Sequence, residues 1–126
     1  MNNKAIWAGR IVTALVGIFV FTSGLNILFV KSPELVEQFA KFNYPESMMP
    51  MTGWAAVVSS VLYMVPRTAV LGAILLTGYL GGAVATHTRI LDPQGFAPLV
   101  VGILAWVGLY LRNDRLRSLV PLIAER

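Results

Sequence analysis

Cysteine is absent from this sequence. That excludes disulfides, thiol redox chemistry and iron–sulfur ligation by the chain, and leaves its redox compartment unmarked. Histidine occurs once. A single histidine cannot supply paired axial ligands to a haem. With no cluster of acids in the apolar runs, a metal site has too few donors, so no metal is expected. Charge is also scarce: Asp, Glu, Lys and Arg together make up 13%, against about 25% in a soluble globular domain. Such a chain cannot coat a water-facing surface, so most of its outside has to meet lipid. No glycine-rich phosphate loop follows a strand, which leaves nucleotide binding without support. No short apolar core ends in an Ala-x-Ala site, so the first apolar run reads as an anchor that stays in place.

What is present is apolar. Hydrophobic residues make up 56% of the 126 residues, a length that fits one domain, and mean hydropathy is +0.70. The stretch Arg67 to Arg89 holds only uncharged residues between its two arginines, apart from His87. Roughly 20 apolar residues span the hydrocarbon core of a bilayer, so this stretch reads as a membrane helix. Three further charge-free runs flank it. The spans are placed at about residues 10–30, 47–65, 68–88 and 96–111, with a basic tail over 112–126. Pro66 and Arg67 leave so short a turn that the second and third spans form an antiparallel hairpin. Between the first two spans, Ser32, Pro33 and Glu34 suit the start of a helix. Leu35, Val36, Phe39, Ala40 and Phe42 give that helix an apolar stripe, for the interface or the bundle mouth. In the tail, Leu116, Leu119, Val120 and Ile123 suggest a surface helix interrupted by Pro121. The expected fold is all-α: an integral membrane four-helix bundle with a short amphipathic helix between spans one and two.

Lysines and arginines sort by side. Lys4, Arg10, Arg67, Arg112, Arg115, Arg117 and Arg126 fall at one end, Lys31, Lys41 and Arg89 at the other. The positive-inside rule then puts both termini in the cytoplasm. The tail suits anionic lipid better than nucleic acid.

The segment Pro66-Arg67-Thr68-Ala69 and the run from Leu76 to His87, LTGYLGGAVATH, closely resemble the DoxX-like family of small four-span bacterial membrane proteins. Gly9-Arg10, Ser23-Gly24, Tyr44-Pro45 and Leu109-Tyr110-Leu111-Arg112 add to the likeness, which covers nearly the whole chain. The resemblance implies a four-span bundle in a bacterial inner membrane with cytoplasmic termini. The family takes its name from a subunit associated with quinone-linked oxidoreductase activity, and most members have no assigned activity. Relatives often carry a glutamate in the second span. Aligned on Gly53 and on Val61-Leu62-Tyr63, that place is Ala56 here.

Candidate site residues are few. His87 is ionisable near the membrane, which makes it a site candidate; the plainer reading is a histidine meeting water at a helix end. Ser23, Asn26, Thr86 and His87 share one depth on spans one and three. If those faces meet, they hold the helices together or bind a small polar ligand or a quinone carbonyl. Tyr79, inside the motif, joins this set. Arg10 either snorkels or binds an anionic headgroup. Gly78, Gly81 and Gly82 are expected to let helices approach, Gly78 and Gly82 as a GxxxG seam. On that helix His87 projects about 180° from the seam, towards any cavity on the other side. The expected function is an accessory or small-ligand- or lipid-binding membrane protein with no cofactor of its own, beside a respiratory or redox partner or a second copy. A quinone-linked oxidoreductase subunit and a small-molecule transporter are the alternatives, and whether the chain is an enzyme stays open.

Overall fold

The computed structural model describes residues 3–123; residues 1–2 and 124–126, Arg126 among them, lie outside the described residues. The first helix, α1, runs Asn3–Leu25 and continues as a π-helical turn over Asn26–Val30. Then come α2 (Pro33–Lys41), α3 (Met49–Met64), α4 (Ala69–Arg89), α5 (Phe96–Arg112) and a four-residue α6 (Asp114–Arg117). The described residues contain no strand. Three helical stretches, Asn3–Val30, Pro66–Arg89 and Pro93–Arg112, are long and apolar enough to cross a membrane.

Four helices pack side by side. Helix α1 lies against α3 and α5, and α4 lies against the same two, so α1 and α4 stand across a diagonal. The buried side chains are mostly small or aliphatic: Val16 and Val20 of α1, Ala56 of α3, Ala73 and Leu76 of α4, Leu109 of α5. Large apolar side chains point outward instead. Leu15, Phe19, Ile74, Leu75, Leu99 and Ile103 are all exposed. An exterior this greasy has lipid as its natural solvent.

Glycine decides where helices touch most closely. A Cβ on Gly72 would stand 2.1 Å from the Tyr63 backbone nitrogen, so α3 and α4 meet there backbone to backbone. Gly24 and Gly53 do the same for α1 and α3: a Cβ on either falls within 3.2 Å of the other's carbonyl oxygen. Within this chain the expected Gly78–Gly82 seam is not a helix contact, nor is Gly81. A Cβ on any of the three would meet nothing within 4 Å. The close approach of α4 falls two turns earlier, on the face that carries Gly72.

Tyr63 ties the bundle together. It is fully buried, and its hydroxyl donates to the Ala105 carbonyl at 2.6 Å, with the Thr13 hydroxyl 3.4 Å away. One α3 side chain thus reaches α1 and α5 while its backbone abuts α4. Arg112 Nε donates to Thr13 Oγ1 at 3.2 Å. Thr13 and Arg112 therefore place the start of α1 and the end of α5 at one end of the bundle.

Turns follow local chemistry. Helices α2 and α4 each end with the residue after the last turn left-handed, Asn43 (φ 62°) and Leu91 (φ 57°). Tyr44 N donates back to the Phe39 carbonyl, and Asp92 N to the His87 carbonyl; such bonds satisfy orphan carbonyls at a helix end. Ser32 stands at the N-cap of α2 as expected, but its side chain makes no cap bond; its carbonyl accepts from Leu35 N and Val36 N. The expected tail helix is shorter. Asn113 Oδ1 accepts from Leu116 N to start α6, which stops before Leu119, Val120 and Ile123, all exposed.

Candidate functional site

At the end of the bundle away from the termini, α2 folds over the mouth. Phe39 packs with Ile27 and Met49, flanked by Leu35, Val36 and Tyr44. The apolar stripe read from the sequence therefore makes a roof. Beneath it, between α3 and α4, lies a cavity of about 610 Å³, within the roughly 300–1,000 Å³ of small-molecule sites. Met51, Thr52 and Ala55 of α3 form one wall. Gly78, Tyr79, Gly82, Ala83 and Thr86 of α4 form the other. The missing side chains of Gly78 and Gly82 are what make room. Met51 is 76% exposed, so the cavity opens sideways, onto the apolar flank.

The polar groups gather at the roof. His87 Nδ1 lies 2.8 Å from the Ala83 carbonyl, which holds the proton on that nitrogen. Gln38 Nε2 stands 3.5 Å from the other ring nitrogen, Nε2. The ring edge rests on Phe42, with centroids 4.9 Å apart. Beside it, the hydroxyls of Tyr44 and Thr86 are 2.8 Å apart. Arg89 donates to the Phe42 carbonyl and lies over the Tyr44 ring at 5.5 Å. Gly95 lets the following turn close behind His87, because a Cβ there would come within 2.9 Å of the His87 Cβ. Half-buried and held on three sides, His87 is a fixed part of the cavity wall rather than a loose group in water.

The polar set expected from the sequence comes together only in part. Tyr79, Thr86 and His87 line one cavity. Ser23 and Asn26 do not reach it, because α1 stands diagonally from α4. The Ser23 hydroxyl bonds its own helix at the Phe19 carbonyl. Asn26 lines a separate polar cleft of about 490 Å³ on the other side of α2, and its Oδ1 is buried without a hydrogen-bond partner. Arg10, at the far end, is exposed and lies over Trp7 at 5.2 Å. His87 and the Gly78–Gly82 pair, expected on opposite faces, line the same cavity because the roof wraps round the end of α4. Gly81 borders a different, apolar groove between α4 and α5, where Trp106 Nε1 donates to Thr77 Oγ1 at 2.6 Å. No group of three or more His, Cys, Asp or Glu able to hold a metal occurs among the described residues.

Gln38, Phe42, Tyr44, Thr52 and Arg89 also line the cavity; the sequence puts Phe42 in the apolar stripe, Tyr44 in a family match and Arg89 among the loop charges, and none of the five at a site. One signal was available for Gln38. It sits with Leu35, Phe39 and Phe42 at spacings of three and four, a polar residue on an otherwise apolar helical face.

No curated protein and no solved structure matches this chain. A family model does match, over residues 11–108. That range takes in the last four turns and more of α1, the roof, the hairpin of α3 and α4 and most of α5, so the cavity lies wholly within it. An all-α membrane bundle with this match belongs to the DoxX-like family.

Proposed function

We propose that this protein crosses a bacterial inner membrane four times, with both termini in the cytoplasm, and holds a small lipophilic molecule in the cavity under α2. On its own it acts as a binding or accessory protein rather than an enzyme. The cavity carries the reading. It is apolar along its length, polar at its roof, and open sideways where lipid would be.

The fourth crossing rests on α3. Its 16 residues rise only about 24 Å, less than the roughly 30 Å hydrocarbon core. Helical turns at Glu46–Met48 and Pro66–Thr68 extend it at both ends. Its outward residues Met51, Trp54, Val58 and Val61 are exposed and apolar, which suits lipid contact along the whole length. Lys4, Arg10, Arg67, Arg112, Arg115 and Arg117 cluster at the end bearing the termini, and the positive-inside rule assigns that end to the cytoplasm.

The test is co-purification. Protein extracted in a gentle detergent should carry a small lipophilic molecule in native mass spectrometry. Gly82→Leu, which fills the cavity, should lose it while still folding. Wild-type protein that carries none, and takes up no lipophilic probe, would refute the reading. A quinone is a second reading, favoured by the Tyr44 and Thr86 hydroxyls beside His87, where donors could meet a ring carbonyl. Quinone titration of wild type and His87→Ala separates the two.

A further inference from the structure

We infer that the occupant of this cavity is a single-chain amphiphile with an anionic oxygen head, a carboxylate or a phosphate, its head at Arg89 and its chain between α3 and α4. This rests on the cavity's being a ligand site, as proposed above, and adds the class of ligand.

Charge is the first observation. The residues lining the cavity include the guanidinium of Arg89 and no acid. Across α2, the polar cleft is lined by Glu34, Glu37 and Asp92, with Lys41 as its one cation. The roof helix thus separates an acid-rich cleft from an acid-free cavity. Of the two sites, the cavity is the one where a negative head meets a cation and no like charge in the lining.

The posture of Arg89 is the second. A lone arginine at a helix end ordinarily extends to water or headgroups. Here it stays exposed, yet it lies at the cavity mouth against the Phe42 carbonyl and the Tyr44 ring. Guanidinium has five N–H donors. The Phe42 carbonyl takes one end of the group, and no acid shares the lining. The remaining donors form the planar fork that suits a carboxylate or phosphate.

Depth is the third. The cavity reaches from Arg89 down to Gly78 along α4. Eleven residues of helix rise about 16 Å, close to half of the roughly 30 Å hydrocarbon core, or one leaflet. A lipid chain lying along the membrane normal, with its head at the interface, has that reach. Gly78 and Gly82 clear the path, and the opening past Met51 lets a chain enter sideways.

The experiment uses the full chain in nanodiscs of neutral lipid and a twelve-carbon fatty acid bearing a tail diazirine. Photolabelling is mapped to peptides, with dodecanoate, dodecyl phosphate, dodecanol and inorganic phosphate as competitors. Label is expected on α3 and α4. Dodecanoate or dodecyl phosphate should compete at least about tenfold better than dodecanol, the effect of one charge-assisted hydrogen bond. The better of the two identifies the head. Arg89→Gln should bring the ratio close to one, and Arg89→Lys should restore part of it. Dodecanol competing as well as the anions, or a preference that survives Arg89→Gln, would overturn the inference and leave the cavity as a site for neutral ligands. Inorganic phosphate competing alone would overturn the requirement for a chain. Absence of label from α3 and α4 with every tailed probe would overturn both the inference and the ligand site beneath it.

Discussion

Replacing Gly72 with alanine should unfold this bundle far more readily than replacing Gly82, although only Gly82 belongs to a recognisable small-residue motif. The new methyl carbon at 72 would sit 2.1 Å from the Tyr63 nitrogen and 2.4 Å from its Cα. Ordinary contact begins near 3.4 Å, so α3 and α4 would have to part by about 1.3 Å in a closely packed interior. Backbone cannot step aside as a flexible side chain can. The short turn through Pro66–Thr68 also limits how far the hairpin can open. Overpacking typically costs about 1–3 kcal/mol, and a backbone clash belongs at or above the top of that range. At Gly82 a methyl meets nothing within 4 Å. There the substitution should be neutral or gain up to about 1 kcal/mol in helix propensity. The assay is unfolding in mixed micelles by titrated denaturing detergent, followed by far-ultraviolet circular dichroism. Gly72→Ala within about 0.5 kcal/mol of wild type, the range of an inconsequential surface change, would refute the packing argument. So would a Gly82→Ala variant less stable than Gly72→Ala.

Tyr63→Phe removes the hydroxyl that reaches Ala105 and Thr13, and should lower stability by about 1 kcal/mol in the same titration, with the helical spectrum unchanged. His87→Ala removes the partner of Gln38 and the edge contact with Phe42. Backbone amides of α2 should exchange with deuterium faster while those of α5 stay as they were; unchanged α2 protection would show that His87 does not hold the roof. Thr77→Val deletes the acceptor of Trp106, and in a Trp7→Phe, Trp54→Phe background the indole emission should shift. A reporter fused to the C-terminus should be active only in the cytoplasm, and periplasmic activity would reverse the assigned orientation.

Much of this architecture was legible in the sequence because hydropathy reports solvent. The charge-free runs, the Pro66 turn and the amphipathic α2 each follow from what a residue needs around it. Neighbour relations were less accessible. Spacing shows that Gly78 and Gly82 share a helical face, but not which helix stands opposite, and here it is a cavity. Ser23 and Asn26 share a depth with Thr86 and His87, yet packing order puts α1 and α4 across the diagonal. Tyr44 and Arg89 read as a turn residue and a loop charge until the roof brings them to one mouth. The true close approach, at Gly72, carries no motif at all. It is one glycine placed where α4 crosses the Tyr63 backbone.

Tyr63 has a consequence for traffic. Its ring occupies the axis where all four rods converge, and its phenol is latched to a carbonyl on the far side. The ring is fully buried there, out of reach of solvent from either end. The cavity under the roof goes no deeper along α3 than Ala55, about two helical turns short of this ring. On the proposed reading a guest is sheltered within the membrane rather than carried across it, and solute flux into liposomes that hold the protein would contradict that reading.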